Sequence, residues 1–493
     1  MNGNANSKKK SFSPIEGPLK IGICGKREIA YSDRAEVAKE IEEKIRTILL
    51  KNNTKEFIGY TALAIGADTI FAEVVIQKFN QPIQIVLPFA LNEYEKDFTD
   101  VQSADKLKEF INNYQAYIIV SDAIPANKVE RNVAYFKIGK YLVDNCDEVI
   151  FVWDGLRPRG IGGTAEIMGY YNEKRNNEHI PYIHVHTKNE DSLDKQIMDQ
   201  FNKSNKTALD NRNSYKKIWR SSILFGWIAV LLFAINTGFE PENKIEVISV
   251  TLELVLIAYI YYKIIHAKNK NYHGNYLSER MRAERFRILK YFYHAGIEVG
   301  ISDSINEDII LLETAKQIND SVKRYEYKSN WYANYTIKSL IKEQQKYHQK
   351  KIKLIGNKAE FWEVINNIIA VAFLLSVIMH FINAAFEPFN NTEVIKEISI
   401  FLNIFLPASY AAIEGILYFE EWELLKKYSD ATYSGLEKNM AELPIMIEPG
   451  DKDDNNYYKK QCSALNTISN TMLTDNKNWK LILEDKNKYQ FVI

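Results

Sequence analysis

Residues 221–239 read SSILFGWIAVLLFAINTGF and contain no Asp, Glu, Lys or Arg. A helix that crosses a bilayer needs ~20 consecutive, mostly apolar residues. Residues 364–386, VINNIIAVAFLLSVIMHFINAAF, form a second uncharged stretch. Two weaker stretches follow them, at residues 247–262, interrupted by Glu253, and at residues 398–419, interrupted by Glu414. The pattern predicts an all-α membrane domain with four transmembrane helices.

A repeated turn connects each strong stretch with the weaker one that follows it. Residues 235–241 read INTGFEP, and residues 382–388 read INAAFEP. Such a repeat indicates a duplicated helical hairpin. Each weaker stretch could instead be a buried helix of a soluble domain, but the repeat favours a membrane span for both.

Basic residues flank the outer ends of both hairpins, whereas the turns carry glutamates. The basic residues are Lys216, Lys217, Arg220, Lys263, Lys268, Lys270, Lys350, Lys351, Lys353, Lys358, Lys426 and Lys427. Loops rich in Lys and Arg remain in the cytoplasm. The sequence therefore predicts a multi-pass protein of the inner (cytoplasmic) membrane. Both termini and the N-terminal domain are expected in the cytoplasm, with the lipid bilayer as a partner.

Three polar residues interrupt the predicted spans: Glu253, Asn403 and Glu414. A charged group at the centre of a bilayer costs ~2.5 to 3.5 kcal/mol on insertion scales. Glu253 and Asn403 are therefore expected to face a water-filled path or to form helix–helix hydrogen bonds, unless Glu253 is protonated. Two hairpins are too few to enclose a wide pore, so a pore would require a homo-oligomer.

The N-terminal third alternates short apolar runs with helical patterns. Strands are predicted at residues 19–24, 61–65, 83–89, 116–120, 148–153 and 182–186. Continuous apolar strands that alternate with helices indicate a parallel sheet covered on both faces. The sequence therefore predicts an α/β Rossmann-like fold for this domain.

Three glycine-containing loops follow predicted strands, where ligands of such sheets bind. They hold Gly25, Lys26 and Arg27; Gly66, Ala67 and Asp68; and Asp154, Arg157, Arg159, Gly162, Gly163, Thr164 and Glu166. Glycines allow close approach of the backbone, and helix N-termini attract phosphates. The loops therefore predict a nucleotide-like ligand. The chain has no G-x-x-x-x-G-K-[ST] motif, and GICGKREI is not G-x-G-x-x-G, so a P-loop NTPase and ordinary NAD binding are not indicated.

Composition excludes other classes of function. The chain has 493 residues, with 63 basic and 63 acidic side chains, so its formal net charge is zero. A neutral chain lacks the basic surface that nucleic-acid binding needs, and no direct nucleic-acid binding is expected. Its three cysteines form no C-x-x-C pair, so neither a metal site nor a redox motif is predicted.

The loop residues resemble those of the SLOG superfamily, which includes Lonely-Guy-type phosphoribohydrolases and nucleotide-ligand sensors of bacterial defence systems. The resemblance covers about residues 18–187 and rests on a set of short motifs in the order of the chain. They are Gly25-Lys26-Arg27, Gly66-Ala67-Asp68 with Ala72-Glu73, Pro88-Phe89, Arg131-Asn132, Trp153-Asp154-Gly155 and Gly162-Gly163-Thr164-Ala165. The resemblance implies that Arg131 and Asn132 also bind the ligand. The hairpins with their helical extensions are similar in architecture to the SLATT group of two-transmembrane effectors.

These observations define the predicted domain boundaries. They are a flexible tail at 1–17 rather than a signal peptide, a SLOG-like domain at 18–190, a linker at 191–217, a first hairpin with its helical extension at 218–300, a cytoplasmic helical segment at 301–355, a second hairpin with its extension at 356–445 and a cytoplasmic segment at 446–493.

The resemblance implies a membrane effector of antiphage defence. Its SLOG-like domain would bind a nucleotide second messenger, of ADP-ribose, cyclic ADP-ribose or cyclic oligonucleotide type, made by an enzyme encoded nearby. Pore formation or membrane disruption would then cause abortive infection. The enzymes of the superfamily carry P-G-G-x-G-T-x-x-E, but Glu166 falls one position early here. No catalytic residue is therefore predicted, although a membrane-tethered hydrolase of N-glycosidic bonds in nucleotides or NAD, or a scaffold with a degenerate domain, remains an alternative.

Overall fold

The computed structural model describes most of the chain from Gly17 onward. The described residues are 17–114, 116–158, 160–175, 180–185, 192–239, 241, 243–300, 305, 308–324, 329–386, 393–420, 422–442 and 458–473. The predicted tail, apart from Gly17, lies outside these residues, as does the turn of the second hairpin at residues 387–392.

The N-terminal domain is a six-stranded parallel sheet with alternating helices, which confirms the predicted α/β class. The strands are β1 Leu19–Gly25, β2 Phe57–Thr61, β3 Ile83–Leu87, β4 Tyr117–Ile119, β5 Glu148–Trp153 and β6 Tyr182–His184. The helices are α1 Arg34–Lys51, α2 Ala67–Phe79, α3 Leu91–Tyr94, α4 Val101–Tyr114, α5 Lys128–Asn145 and α6 Thr164–Arg175.

The second strand lies four residues earlier than predicted. The prediction placed it at residues 61–65, whereas β2 ends at Thr61 and Leu63 has a left-handed φ of 55°. Residues 62–64 are apolar because they fold back toward the core, where Leu63 is 1% exposed. Hydrophobicity alone therefore placed the strand incorrectly.

The order of the strands is β4-β3-β2-β1-β5-β6. The chain builds the sheet outward from β1 in one direction and then, from β5, in the other. The order reverses between β1 and β5, and parallel sheets bind ligands in the crevice at such a reversal, beyond the carboxyl ends of the strands. This topology directs attention to the loops that follow Gly25 and Trp153.

The rest of the described chain is almost entirely helical. Its helices are α7 Ser192–Phe239, α8 Asn243–Lys270, α9 Tyr272–Ala295, α10 Ile309–Arg324, α11 Asn330–Phe386, α12 Glu393–Glu420, α13 Trp422–Ala441 and α14 at 458–473. The predicted linker at 191–217 is thus not separate from the first span, because residues 192–217 form the first turns of α7. Ile197 and Ala208, both buried, attach this part of α7 to the neighbouring helices.

Four helices in the described part of the chain are long and apolar enough to cross a membrane, as predicted. They are α7, α8, α11 and α12, and α7 packs against both α8 and α12, while α12 packs against α11. The pair α7–α12 is antiparallel: Arg220 bonds to Glu420 at one end, and Gly238 meets Phe401 at the other. The two hairpins therefore point in the same direction.

Beyond the apolar segments, the helices form a bundle with its own hydrophobic core. Its buried side chains include Ile197, Phe286, Leu289, Leu311, Ile318, Ile337, Leu340, Leu436, Leu465 and Ile468. The α/β domain packs on this bundle through α6 and the start of α11. Trp331 packs edge-on against Tyr170 at 5.0 Å, and Lys338 pairs with Glu173. The predicted helical extensions of the spans are thus the platform that holds the α/β domain.

Candidate ligand-binding site

A cavity of about 370 Å³ lies at the reversal of strand order, beyond the carboxyl ends of β1 and β5. Its volume is within the range of small-molecule sites, ~300 to 1,000 Å³. The predicted residues that line it are Gly25, Lys26, Arg27, Asp68, Asn132, Gly162, Gly163 and Thr164. All three predicted loops therefore reach one cavity.

Lys26 and Asp154 form the most buried ion pair of the site. Lys26 Nζ lies 2.7 Å from Asp154 Oδ2, and the Asp154 side chain is 1% exposed. A buried carboxylate needs a positively charged partner, and Lys26 supplies one to Asp154. The Lys26 side chain remains partly exposed at the cavity. Beside it, the Arg27 guanidinium lies 4.5 Å from the centre of the Tyr135 ring.

Asp68 forms an acidic part of the cavity wall. Burial raises the pKa of Asp68 to about 7, although the Ala62 N–H bond and the Arg27 charge lower it in part. The Ala62 N–H donates to Asp68 Oδ2 at 3.3 Å. Asp68 can therefore either donate or accept a hydrogen bond near neutral pH, which suits a sugar hydroxyl.

Cys24 lines the same cavity, directly before Gly25. Burial, reinforced by the nearby Asp68 charge, raises the pKa of the Cys24 thiol well above its usual range. A cysteine acts as a nucleophile only as the thiolate. Cys24 is therefore a neutral wall residue and not a candidate nucleophile.

Two residues set the path of the loop before α6. Gly162 adopts a φ of +81°, and a Cβ there would lie 2.8 Å from Asn132 O. The Glu166 carboxylate accepts a 2.7 Å hydrogen bond from the Gly162 N–H and so ties the loop to the first turn of the helix. Gly163, Thr164 and the start of α6 line the cavity, so a phosphate there would meet the positive end of the α6 dipole.

Glu166 itself does not line the cavity and is 0% exposed. Its second oxygen, Oε1, accepts from the Ser329 hydroxyl at 3.4 Å, at the start of α11. The predicted ligand contact of Glu166 is thus replaced by a positioning role. The early position of the glutamate in the motif is consistent with this, because one step along a helix turns a side chain by ~100°.

Arg131 also lies away from the cavity lining. It pairs with Glu93 at 2.8 Å and Asp97 at 2.7 Å, and it stacks on Phe89 at 4.7 Å. These contacts attach α5 to the segment around α3, so Arg131 is a structural residue here. Its neighbour Asn132 faces the opposite way and lines the cavity.

Gly66 and Ala67 support the site from behind, because the Ala67 N–H donates to Lys26 O at 3.1 Å. A Cβ at Gly66, whose φ is +93°, would lie 2.4 Å from Arg27 O. These two residues therefore set the path of the Lys26-Arg27 backbone. Arg159 lies outside the described residues.

Arg157, one of the two arginines that add charge to the loop after β5, also lines the cavity. Its guanidinium Nη2 donates to Ser321 Oγ at 2.7 Å, and Cζ lies 4.4 Å from the centre of the Tyr293 ring. Ser321 belongs to α10 and Tyr293 to α9. The cavity loop thus touches the helical bundle directly. The sequence showed a charged loop but gave no sign of its partners, which are more than a hundred residues away.

The three polar residues within the spans make hydrogen bonds between helices. Asn403 Oδ1 accepts from Ser376 at 2.8 Å, and Glu414 Oε1 accepts from Asn366 at 2.6 Å. Glu253 Oε1 accepts from Asn236 at 3.4 Å. Glu253 and Asn403 were predicted either to face a water-filled path or to form hydrogen bonds between helices. The structure shows hydrogen bonds between helices, and they connect the two helices of each hairpin.

Comparisons of the chain with protein family models, with curated proteins and with solved structures found no match. The assignment to SLOG-like and SLATT-like groups therefore remains a prediction from motifs and architecture. The proposals below depend on the geometry of the cavity and its contacts with the helical bundle.

Proposed function

We propose that the protein is a ligand-gated membrane effector. In this proposal the α/β domain binds a nucleotide-derived signal, and binding shifts the apolar helices of a homo-oligomer toward a state that opens the membrane. The observation that carries the proposal is Arg157, which lines the cavity and at the same time contacts Tyr293 and Ser321 of the helical bundle. A ligand that moves Arg157 must change these contacts.

The chemistry of the cavity supports a nucleotide-derived ligand. Lys26, Arg27 and the N–H groups at the start of α6 suit phosphates, and Asp68 suits a ribose hydroxyl. The half-buried ring of Tyr135 lines the same space and offers a surface to a base. ADP-ribose, a cyclic ADP-ribose and a cyclic oligonucleotide all combine these features.

A second route from the cavity to the spans runs through α6 and α11. Glu166 joins the Gly162 backbone to Ser329, and the Ser329 hydroxyl accepts from the Tyr332 N–H in the first turn of α11. The same helix continues without interruption to Phe386 and includes the third span. A change in the loop would therefore reach a transmembrane helix through three hydrogen bonds.

The wider role that we propose is antiphage defence at the inner membrane, with the α/β domain in the cytoplasm. An enzyme encoded nearby would make the signal during infection, and opening of the membrane would stop growth before phage release. The motif resemblance and the basic residues outside the hairpins support this role. Hydrolysis is less well supported, because Glu166 is buried away from the cavity.

Ligand binding tests the sensing half of the proposal. Full-length protein in phosphatidylcholine nanodiscs would be titrated with ADP-ribose, cyclic ADP-ribose and cyclic di-AMP while thermal unfolding is followed. One of them should raise the Tm. Arg27→Gln should weaken that ligand about tenfold, since a charge-assisted contact is lost. Lys39→Gln, which changes an exposed residue, is the matched control and should leave the affinity unchanged. The proposal would be contradicted by equal weakening in both variants. It would also be contradicted if none of the three compounds changed the Tm.

A further inference from the structure

A second cavity, of about 480 Å³, lies within the helical bundle at its membrane side. Its walls come from α7, α9, α11, α13, the last residue of α12 and Met472 of α14. These segments precede or follow the four apolar stretches. An occupant of this cavity would therefore contact the base of both hairpins at once. Within the described residues, the cavity of the α/β domain has no such contact with both hairpins.

The lining is strongly basic. It contains Arg212, Lys216, Arg280, Arg287 and Lys351 against the two carboxylates Glu284 and Glu420. The excess of cations over carboxylates gives this space a positive potential, since low-dielectric walls strengthen the field of each charge. The cavity therefore favours an anion.

The cations of the lining differ in whether a carboxylate neutralises them, and Lys351 has only a ring contact, with Nζ 5.8 Å from the centre of Tyr347. Arg280 and Arg287 pair with Glu284, at 2.5 Å and 3.0 Å, and Lys216 pairs with Glu420. Within the residues that the structure describes, Arg212 and Lys351 form no ion pair. Their charges remain available to an anion that enters between α7 and α11.

One buried polar atom in the wall lacks a hydrogen-bond partner. His348 is 6% exposed, and its Nδ1 makes no hydrogen bond within the described chain. Gln344, one turn earlier on α11 and also buried, lines the same space and carries both a donor and an acceptor. Buried polar groups are normally hydrogen-bonded, so the unpartnered His348 nitrogen on this wall indicates a polar occupant.

The position of the rim connects this cavity with the bilayer surface. Lys216 lies five residues before the uncharged stretch at 221–239, a distance of about 7 Å along a helix. Glu420 directly follows the apolar stretch at 398–419. Tyr215, Tyr276, Tyr347 and Tyr428 also line the cavity. Tyrosines at this level offer an apolar ring and a hydroxyl, which suits an amphipathic or organic phosphate.

We propose that this cavity is a phosphate-binding site that joins the bases of the two hairpins. Arg212 and Lys351 hold the anion, and Gln344 and His348 complete its hydrogen bonds. A phosphate of this kind comes either from an anionic lipid headgroup at the rim or from a soluble phosphate compound. The site is separate from the nucleotide cavity of the α/β domain and does not depend on the function proposed for it.

The two sources are separated by testing full-length protein in two kinds of nanodisc. One is made of phosphatidylcholine alone, with inorganic pyrophosphate added to the solution. The other contains phosphatidylglycerol and no added phosphate. A Tm above that in phosphatidylcholine alone is expected in one or both conditions. A rise with phosphatidylglycerol identifies a lipid, and a rise with pyrophosphate identifies a soluble anion.

Variants show whether the rise belongs to this cavity. The double variant Arg212→Gln and Lys351→Gln should weaken binding of the phosphate by about tenfold or more. The single variant Arg212→Gln should weaken it by a smaller factor. The control Lys350→Gln, an exposed neighbour with the same change of charge, should retain the full rise, as should Arg27→Gln in the other cavity. No rise in either nanodisc, or a rise that the Arg212 variants keep in full, overturns the proposal.

Discussion

At the scale of single residues, Asp68 is a carboxyl group of the cavity wall whose ionisation the fold strongly alters. Its pKa lies at about 7 because the carboxyl is buried. An unfolded aspartate has a pKa of ~3.9. The folded protein therefore binds a proton that the unfolded chain has released, and the stability present at low pH is lost as pH rises from ~4 to ~7.

Asp68→Asn should remove this dependence, because an amide does not titrate. Between about pH 5 and about pH 8 the Tm of the natural protein should fall, and that of Asp68→Asn should fall less. Asp105→Asn, an exposed residue of α4, is the control and should behave as the natural protein. Parallel pH profiles for the natural protein and Asp68→Asn would show that Asp68 is ionised in the fold.

Gly162 and Gly163 provide a matched pair for the loop that borders the cavity. A Cβ at Gly162 would lie 2.8 Å from Asn132 O and Phe136 N, whereas a Cβ at Gly163 would have its nearest neighbour at 3.4 Å. Gly162→Ala should lower the free energy of unfolding by ~1 to 3 kcal/mol and weaken the ligand. Gly163→Ala should have a smaller effect on stability. Denaturant unfolding measures both, and a Gly162→Ala protein as stable as the natural one would contradict the structure.

At the scale of elements, the contact between α6 and α11 joins the α/β domain to the third span. A Cβ at Gly169 of α6 would lie 2.6 Å from the Trp331 backbone, so the two helices meet without any space for a side chain. Because α11 has 57 residues and extends for roughly 85 Å, a displacement at Trp331 moves a rigid rod. This contact is therefore where we expect coupling to be most sensitive.

Gly169→Ala should separate ligand binding from membrane opening. The ligand-dependent rise in Tm should persist, while ligand-dependent release of dye from liposomes should fall at least about fivefold, within the usual range of coupling energies. Gly300→Ala is the control, since a Cβ there meets no atom within 4 Å. Unchanged release in Gly169→Ala would place the coupling elsewhere, with the Arg157 contacts as the next candidate.

The elements also show what could be predicted from the sequence. Strand β5 begins and ends where the pattern placed it, because its continuous apolar run matches burial in the core. The strand predicted at 61–65 was misplaced, because apolar residues also line turns. The linker predicted at 191–217 is helical, because its few apolar residues pack on distant helices that local pattern does not reveal.

Part of the candidate site could also be predicted from the sequence, and the rest depends on contacts between distant segments. Loops after parallel strands converge by topology, so Lys26, Asp68 and Thr164 were brought together as expected. Arg131 and Glu166 were not, because their partners, Glu93 and Ser329, lie far away in sequence. The basic cavity of the bundle could not be predicted at all, since it is assembled from helices that lie more than two hundred residues apart in sequence.

At the scale of the whole molecule, the fold places the candidate ligand cavity at one end of the helical bundle and apolar helices at the other. Within one chain, α7 and α12 form the centre of the apolar part, and α8 and α11 lie outside them with exposed apolar faces. Moving an effector from 1% to 99% open requires a differential affinity of ~5.5 kcal/mol. Several subunits that each bind one ligand can share that requirement, which favours an oligomer.

Release of a trapped dye from liposomes tests the central claim most directly. Full-length protein would be reconstituted, and the compound that raises its Tm would be added outside. The natural protein should release the dye only when the ligand is present. Arg27→Gln should need about tenfold more ligand for the same release. Lys39→Gln should need the same ligand concentration as the natural protein. Tight binding of the ligand without any release, or equal release in its absence, would contradict a ligand-gated effector.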